Sequence, residues 1–393
     1  MPNKILLIGR ASKNIGGIAT GGIAKHVEDL ALNLYDIGHK TFIWDFTIQK
    51  SFVHENINIF GVSYYNKFLS LIFGVFIENI FFSRSYKNLS IRDKIIISIQ
   101  SYYLRKTIKK YSFKSIHIHS LNRAVTSFIN KNFPNINIVI TDHGFWNKIK
   151  KGDDNRNKKT LLKIENNIKS SKTVIVISDY SIEKFKEYGL SLEKVKKIPN
   201  PIFISKIPMN SSDKKENIIF FNGFNKSLGI KNLPMLLQAI NINKSLYENF
   251  KLVAIVSNNA KEYIKKQKLK FEIEILGPQT WEQVVKLYNI SKVLVVPSKS
   301  ESFGLVYVEA LAVGTPVIGF HKNIEEFQTV LKIDIGEPFD SDRESANQLS
   351  RKIQKVVSNT YDKDFMRKKV MEKYDWQSKI EEFSKIYLSD KEL

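Results

Sequence analysis

Cysteine is absent from this chain, which rules out a disulfide framework, thiolate metal sites and a thiol nucleophile. A membrane-spanning run is missing too. The longest apolar stretch, FLSLIFGVFIENIFF at 68–82, is interrupted by Glu78 and Asn79 and falls short of the roughly 20 residues a spanning helix needs. The opening MPNKILLIGRAS has no small-residue cleavage site and reads as a first strand, not a signal peptide. A soluble or peripheral protein in a reducing cytoplasm is the expectation. Acidic residues are few, 39 against 61 basic, for a net charge of +22. Such an excess implies an acidic partner, namely anionic lipid, a phosphorylated substrate or nucleic acid; a Lys-, Asn- and Ile-rich composition is the competing account. No nucleic-acid recognition motif accompanies the charge, which is spread along the chain, so no nucleic acid is expected as a partner. Nor does any strand lead into G-x-G-x-x-G with a following acidic residue, which argues against a dinucleotide oxidoreductase.

What the chain does have is enough apolar residue, 43% of 393, for two cores. Short apolar runs alternate with longer amphipathic stretches. KILLIG (4–9), KTFIWDF (40–46), SIHIHS (115–120), NIVITDHG (137–144) and KTVIVISD (172–179) read as buried strands, and GGIAKHVEDLALNLYDIGH (21–39) as a helix. Prolines cluster in VKKIPNPIFISKIP (195–208), the expected linker. The alternation restarts with NIIFFNG (217–223), KLVAIVS (251–257), FEIEILG (271–277), KVLVVPS (292–298) and TPVIGF (315–320). This pattern predicts an α/β fold of two Rossmann-like, doubly wound domains facing a central cleft. The expected boundaries are 1–200, 201–373 and a final amphipathic helix in 374–393.

The segment SESFGLVYVEALAVGTPVIGF (300–320) carries two glutamates, Glu301 and Glu309. Phe303 through Ala312 follows a helical pattern with Gly304 near its start, where unpaired N–H groups and a missing side chain suit a diphosphate. Glu301 precedes the helix, and Glu309 leans back toward its N-terminus. A carboxylate accepts two hydrogen bonds from a vicinal diol, so two carboxylates flanking a phosphate seat match a sugar nucleotide, in which hexose, diphosphate and ribose follow one another.

The string PSKSESFGLVYVEALAVGTPVIG resembles the E-x7-E signature of retaining glycosyltransferases with the GT-B fold (glycosyltransferase family 4, group 1 type). Further stretches are similar to that family: ATGGIAKHVEDLALNL, ITDHGFW, KIPNPI, LGPQTWEQVVKLYNISKVLVVPS and the tail around Trp376, which by that resemblance is a closing helix (374–393) crossing back to the N-terminal domain. The resemblance implies that Glu309 holds ribose hydroxyls and Glu301 the transferred sugar. Donor contacts are implied for Ser302, Phe303, Gly304 and Leu305, for Gly21 and Gly22, and for Gly277 and Pro278 beside the base. His143 borders the reacting sugar, while His117 and His119 are read as structural hydrogen bonders. In NGFNKSLGIKNLPMLLQA, Lys231 fits the family's phosphate lysine. Phe224 stands where the family has an arginine, and Lys226 is the candidate substitute as a point charge.

The family's route is front-face transfer with retention: cations and N–H groups stabilise the leaving diphosphate, which helps deprotonate the acceptor. It implies no cofactor and no metal, with UDP- or GDP-sugar as donor and a cell-envelope glycan or lipid-linked acceptor. Asp340-Ser341-Asp342 spells DxD and is read as a helix cap. Residues 64–111 mix aromatic, aliphatic and basic side chains as amphipathic surface helices do, making an anionic membrane at the inner face of the cell a candidate partner. The alternatives on this fold are a non-catalytic carbohydrate- or nucleotide-binding protein, a sugar-nucleotide epimerase and a phosphorylase.

Overall fold

The computed structural model describes residues 3–17, 21–87, 89–149, 152–209, 215–224 and 226–388. They form two compact units. The first comprises 1–177, 181–199 and 379–393; the second comprises 178–180 and 200–378.

The first unit is built on β1 (Lys4–Ile8), β2 (Lys40–Trp44), β3 (Phe52–His54), β4 (Ile57–Phe60), β5 (Ser115–Ile118), β6 (Asn137–Asp142), β7 (Thr173–Val176) and β8 (Val195–Lys197). Their order in the sheet is β3-β4-β2-β1-β5-β6-β7-β8. Every pairing is parallel except β3 with β4. That hairpin closes through Glu55 and Asn56, both at positive φ (44° and 65°), the backbone a two-residue turn of mirror-image type demands. The central strands are largely apolar and nearly all buried, as a parallel sheet covered on both faces requires.

The second unit has β9 (Glu216–Asn222), β10 (Lys251–Ile255), β11 (Ile273–Leu276), β12 (Ser291–Val296), β13 (Val317–Phe320) and β14 (Gly336–Phe339). The order is β11-β10-β9-β12-β13-β14, wholly parallel. In each unit the strand order reverses once, between β1 and β5 and between β9 and β12. Loops diverge at such a point and leave a crevice at the carboxyl ends of the strands.

The predicted strands all form, but two sequence-based expectations need correction. The helix foreseen from Phe303 starts later, at Leu305–Leu311, because Gly304 takes a left-handed conformation (φ 80°) and becomes its N-cap. Asp340 does not cap a helix: its carboxylate accepts the Asp342 N–H at 3.1 Å in a turn. The next helix, Ala346–Ser358, is capped instead by Ser345 and Gln348, each bonded to the other's backbone N–H. Ser178–Tyr180 pack with the second unit, and the helix Trp376–Tyr387 starts there and ends in the first. Trp376, Ile380, Phe383 and Tyr387 are buried along it, as the predicted stripe requires.

Tyr307 locks the second unit's core beneath the crevice. Its hydroxyl donates to the Val296 carbonyl (2.9 Å) and accepts from the Phe320 N–H (3.1 Å), tying the ends of β12 and β13 together. The fully buried ring fits only because Gly304 and Gly319 have no side chain; a Cβ on Gly319 would lie 2.3 Å from it. Gly319→Ala is therefore expected to lower unfolding free energy by about 3 kcal/mol, read as a drop in the urea midpoint at unchanged slope; an unchanged midpoint would refute this packing account.

Candidate active site

In the second unit, the loop after β9 and the loop after β12 carry the charged residues. The first folds back on itself: Ser227 Oγ donates to the Gly223 carbonyl at 2.7 Å, and Leu233 N–H to the Ser227 carbonyl at 2.8 Å. The two loops are joined by the Lys299 N–H donating to the Ile230 carbonyl at 2.8 Å. That bond brings Lys231 to Glu301, and the Lys231 ammonium donates to Glu301 Oε1. Ser298 Oγ donates to the same oxygen at 3.2 Å. Only 13% of the lysine and 15% of the glutamate side chain is exposed, so the pair is largely desolvated and each charge depends on the other.

Glu309, half-buried on the helix Leu305–Leu311, accepts from the Tyr288 hydroxyl at 3.1 Å. Asn222 Nδ2, at the end of β9, donates to that hydroxyl at 3.1 Å. Burial, then the Glu309 charge, raises the Tyr288 phenol well above its usual range, so it stays a donor to the carboxylate. The helix that delivers Tyr288, Trp281–Ile290, begins with a Thr280/Gln283 capping box. Phe303 is buried against Phe327 and Tyr374 (ring centroids 5.4 and 5.9 Å), which anchors the turn into the glutamate helix.

The structure thus brings Lys231 and Glu301 into contact and holds Glu309 through Tyr288 and Asn222. Ser302, Phe303, Gly304 and Leu305 lie in the same segment. Gly277 and Pro278 are exposed just past β11, where a Cβ on Gly277 would meet nothing within 4 Å. Lys226 is exposed, with its backbone N–H donating to the Gly223 carbonyl at 3.2 Å, and Phe224 is half-exposed beside it. Tyr288 and Asn222 were missed by sequence reasoning, and neither carries a local signature.

In the first unit, Gly21 (φ 102°) is the N-cap of the helix Gly22–Asp36, and both glycines are exposed. His143 follows β6. Its Nε2 lies 3.3 Å from His119 Nδ1, and its ring centroid is 5.4 Å from that of His26. Burial holds the His143 imidazole down at about 4, so it is neutral at pH 7. Burial also pushes the neighbouring Asp142 carboxyl up to about 7, against the Gly144 and Phe145 N–H groups that donate to it (3.2 and 3.3 Å). His117 is a structural hydrogen bonder as expected, held by the Tyr387 hydroxyl (2.5 Å) and Thr141 Oγ1 (2.7 Å). His119 too is a hydrogen bonder, through Nδ1 to His143 Nε2, and its ring also meets that of His26, with centroids 5.6 Å apart.

Two parallel domains with loops of this kind define the GT-B class of protein. Residues 20–206 match the family model of glycosyltransferase family 4 and residues 205–373 that of the group 1 glycosyl transferases, and the two Rossmann-like domains have the GT-B fold. The chain is 28% identical to an uncharacterized 41.2 kDa protein in the cps region of Klebsiella pneumoniae, over 60% of this chain and 67% of that one. An uncharacterized glycosyltransferase of Methanocaldococcus jannaschii is 27% identical over 48% of this chain and 60% of its own. The solved structure of WaaB, a lipopolysaccharide outer core galactosyltransferase, superposes with TM-score 0.67 at 15% identity, covering 98% of each chain.

A double-mutant cycle on Lys231→Met and Glu301→Gln should return a coupling of about 1–3 kcal/mol in unfolding free energy, because either single change strands a mostly buried charge. Additive single effects would mean the two groups do not rely on one another.

Proposed function

We propose that this protein moves a hexose from a nucleoside-diphosphate sugar, UDP- or GDP-linked, to a cell-envelope glycan or lipid-linked acceptor, with retention at the anomeric carbon. The carrying observation is the pairing of Lys231 with Glu301 beside Glu309, on the loops that follow β9 and β12, the strands between which the order reverses. On donor binding Lys231 exchanges its carboxylate partner for the diphosphate, which releases Glu301 to accept from sugar hydroxyls. Glu309, oriented by Tyr288, takes the ribose diol. Lys231, with Lys226 as an exposed second charge, stabilises the leaving diphosphate. The bond from the anomeric carbon to the phosphate oxygen breaks, the acceptor oxygen bonds on the same face, and the acceptor proton passes to the leaving diphosphate. The neutral His143 borders the sugar as a hydrogen-bonding group. In this reading the cationic work falls to lysines and needs no divalent ion.

Thermal shifts with UDP, GDP, ADP, CMP and their sugar conjugates, without and with EDTA, test the reading. One nucleoside diphosphate at a hundredfold excess over its Kd should raise Tm by about 5–10 °C, survive EDTA and lose the effect in Glu309→Ala. Stabilisation by no nucleotide would mean that Phe224 in place of the arginine has disabled the pocket, and a binding role would replace catalysis.

The acceptor side of the reading includes an anionic membrane at the cytoplasmic face. No helix among the described residues is long and apolar enough to cross a membrane. However, Tyr64, Phe68, Ile72 and Phe76 recur at four-residue spacing on the helix Tyr64–Phe76 and are all exposed, from 42% to 76%. Ile77, Phe82, Ile91 and Ile95 extend the exposed apolar set, and Arg84, Lys87, Arg92, Lys106, Lys109 and Lys110 supply exposed positive charge in the same stretch. Apolar insertion together with positive charge suits an anionic interface. The protein should co-sediment with phosphatidylglycerol vesicles and not with phosphatidylcholine, and the pair Phe68→Ser, Phe76→Ser should abolish it. Equal binding to both lipids, or to neither, rejects this part of the reading.

A further inference from the structure

Three histidines from separate segments meet in the first unit. His26 lies near the start of the helix Gly22–Asp36, His119 just past β5 and His143 just past β6. One ring nitrogen of each lies within 4.8 Å of those of the other two. The 3.3 Å between His119 Nδ1 and His143 Nε2 matches the edge of a tetrahedral metal site with bonds of 2.0–2.1 Å, about 3.3–3.4 Å. The third nitrogen has under about 2 Å to close, within the reach of a side-chain adjustment.

The surroundings favour ligation. His119 stacks on His117 (centroids 4.4 Å apart), whose own two nitrogens are held by Tyr387 and Thr141, so the His119 ring is fixed by a neighbour that cannot turn. His26 and His119 are buried, whereas His143 is partly exposed and leaves a way in for an ion. The donor set is three imidazoles without a carboxylate. Hard cations such as Mg²⁺ or Ca²⁺, which need oxygen ligands, do not suit it; a first-row dication that bonds imidazole does.

We infer that His26, His119 and His143 form a three-imidazole site for a transition-metal dication of the Zn²⁺, Co²⁺ or Ni²⁺ type, with a coordination position open beside His143. The site belongs to the first unit and uses none of the donor residues on the loops after β9 and β12; His143 alone is common to it and to the sugar-bordering role proposed above.

The full chain, stripped with EDTA and desalted, is titrated with Co²⁺ and separately with Zn²⁺ against a competing indicator. About one equivalent should bind, Co²⁺ should develop the visible d–d absorption of a tetrahedral site, and Mg²⁺ should not compete. His119→Gln and His26→Gln should each weaken Zn²⁺ at least about tenfold, while His54→Gln, on the β3–β4 hairpin, should not. A native circular dichroism spectrum with unchanged Zn²⁺ affinity in His119→Gln overturns the proposal. Should those variants fail to fold, X-ray absorption of the Zn²⁺-loaded wild type decides. A nitrogen shell at about 2.0 Å with imidazole scattering supports the site, and an oxygen-dominated shell rejects it.

Discussion

Backbone polar groups inside a sheet buried on both faces can be satisfied only by the neighbouring strand, and in a parallel ladder this dictates how the chain must travel. Each return to the sheet needs a crossover, so every strand enters at one edge and leaves at the other. The carboxyl ends of β9, β12 and β13 therefore come together however their loops are composed. Lys231, Glu301 and the turn at Gly304 become neighbours as a by-product of hydrogen-bond pairing. In the first unit the same rule delivers His119 and His143 to adjacent positions.

That constraint explains what could be read in advance. Apolar runs such as KVLVVPS and NIIFFNG are strands because nothing else buries so many β-branched and aromatic residues in so short a length, and their alternation with helices implies the parallel order. The E-x7-E string was legible because one short helix and its preceding loop hold both carboxylates. Tyr288 was not legible. It reaches Glu309 only because one helix packs beside another, and tertiary packing leaves no local trace in YNIS. The three histidines come from segments far apart in sequence, and only the register of β5 against β6 makes two of them neighbours. Asp340 misled because acidic residues serve turns as readily as caps, whereas the Ser345/Gln348 spacing, S-x-x-Q before a periodic run, was a plain capping-box signal.

The candidate site carries its own counter-charges. In the proposed reading the lysine and the glutamate each suit one part of the donor, and in the structure they neutralise one another. The chain's +22 charge thus coexists with a crevice whose working cation is internally matched. A phosphate must then compete with Glu301 for Lys231, so bare phosphate has less to offer this lysine than a ligand that also gives the carboxylate new hydrogen bonds. The pairing favours recognition of the whole donor over recognition of its charge.

The last helix has a consequence for the order in which the molecule can be completed. Tyr387 holds the buried His117 ring, Ser384 bonds His39 Nε2 at 2.8 Å, and Asn137 donates to the Ile386 carbonyl at 3.1 Å, all within the first unit. Synthesis proceeds from the N-terminus, and domains generally form as they emerge. Here every strand of the first unit is made before any strand of the second, yet residues that close its histidine face, such as Tyr387, follow the second unit's strands. The second unit has all its strands while the first still waits with unfilled hydrogen-bond positions. The ribosome begins the N-terminal domain first and allows it to finish last.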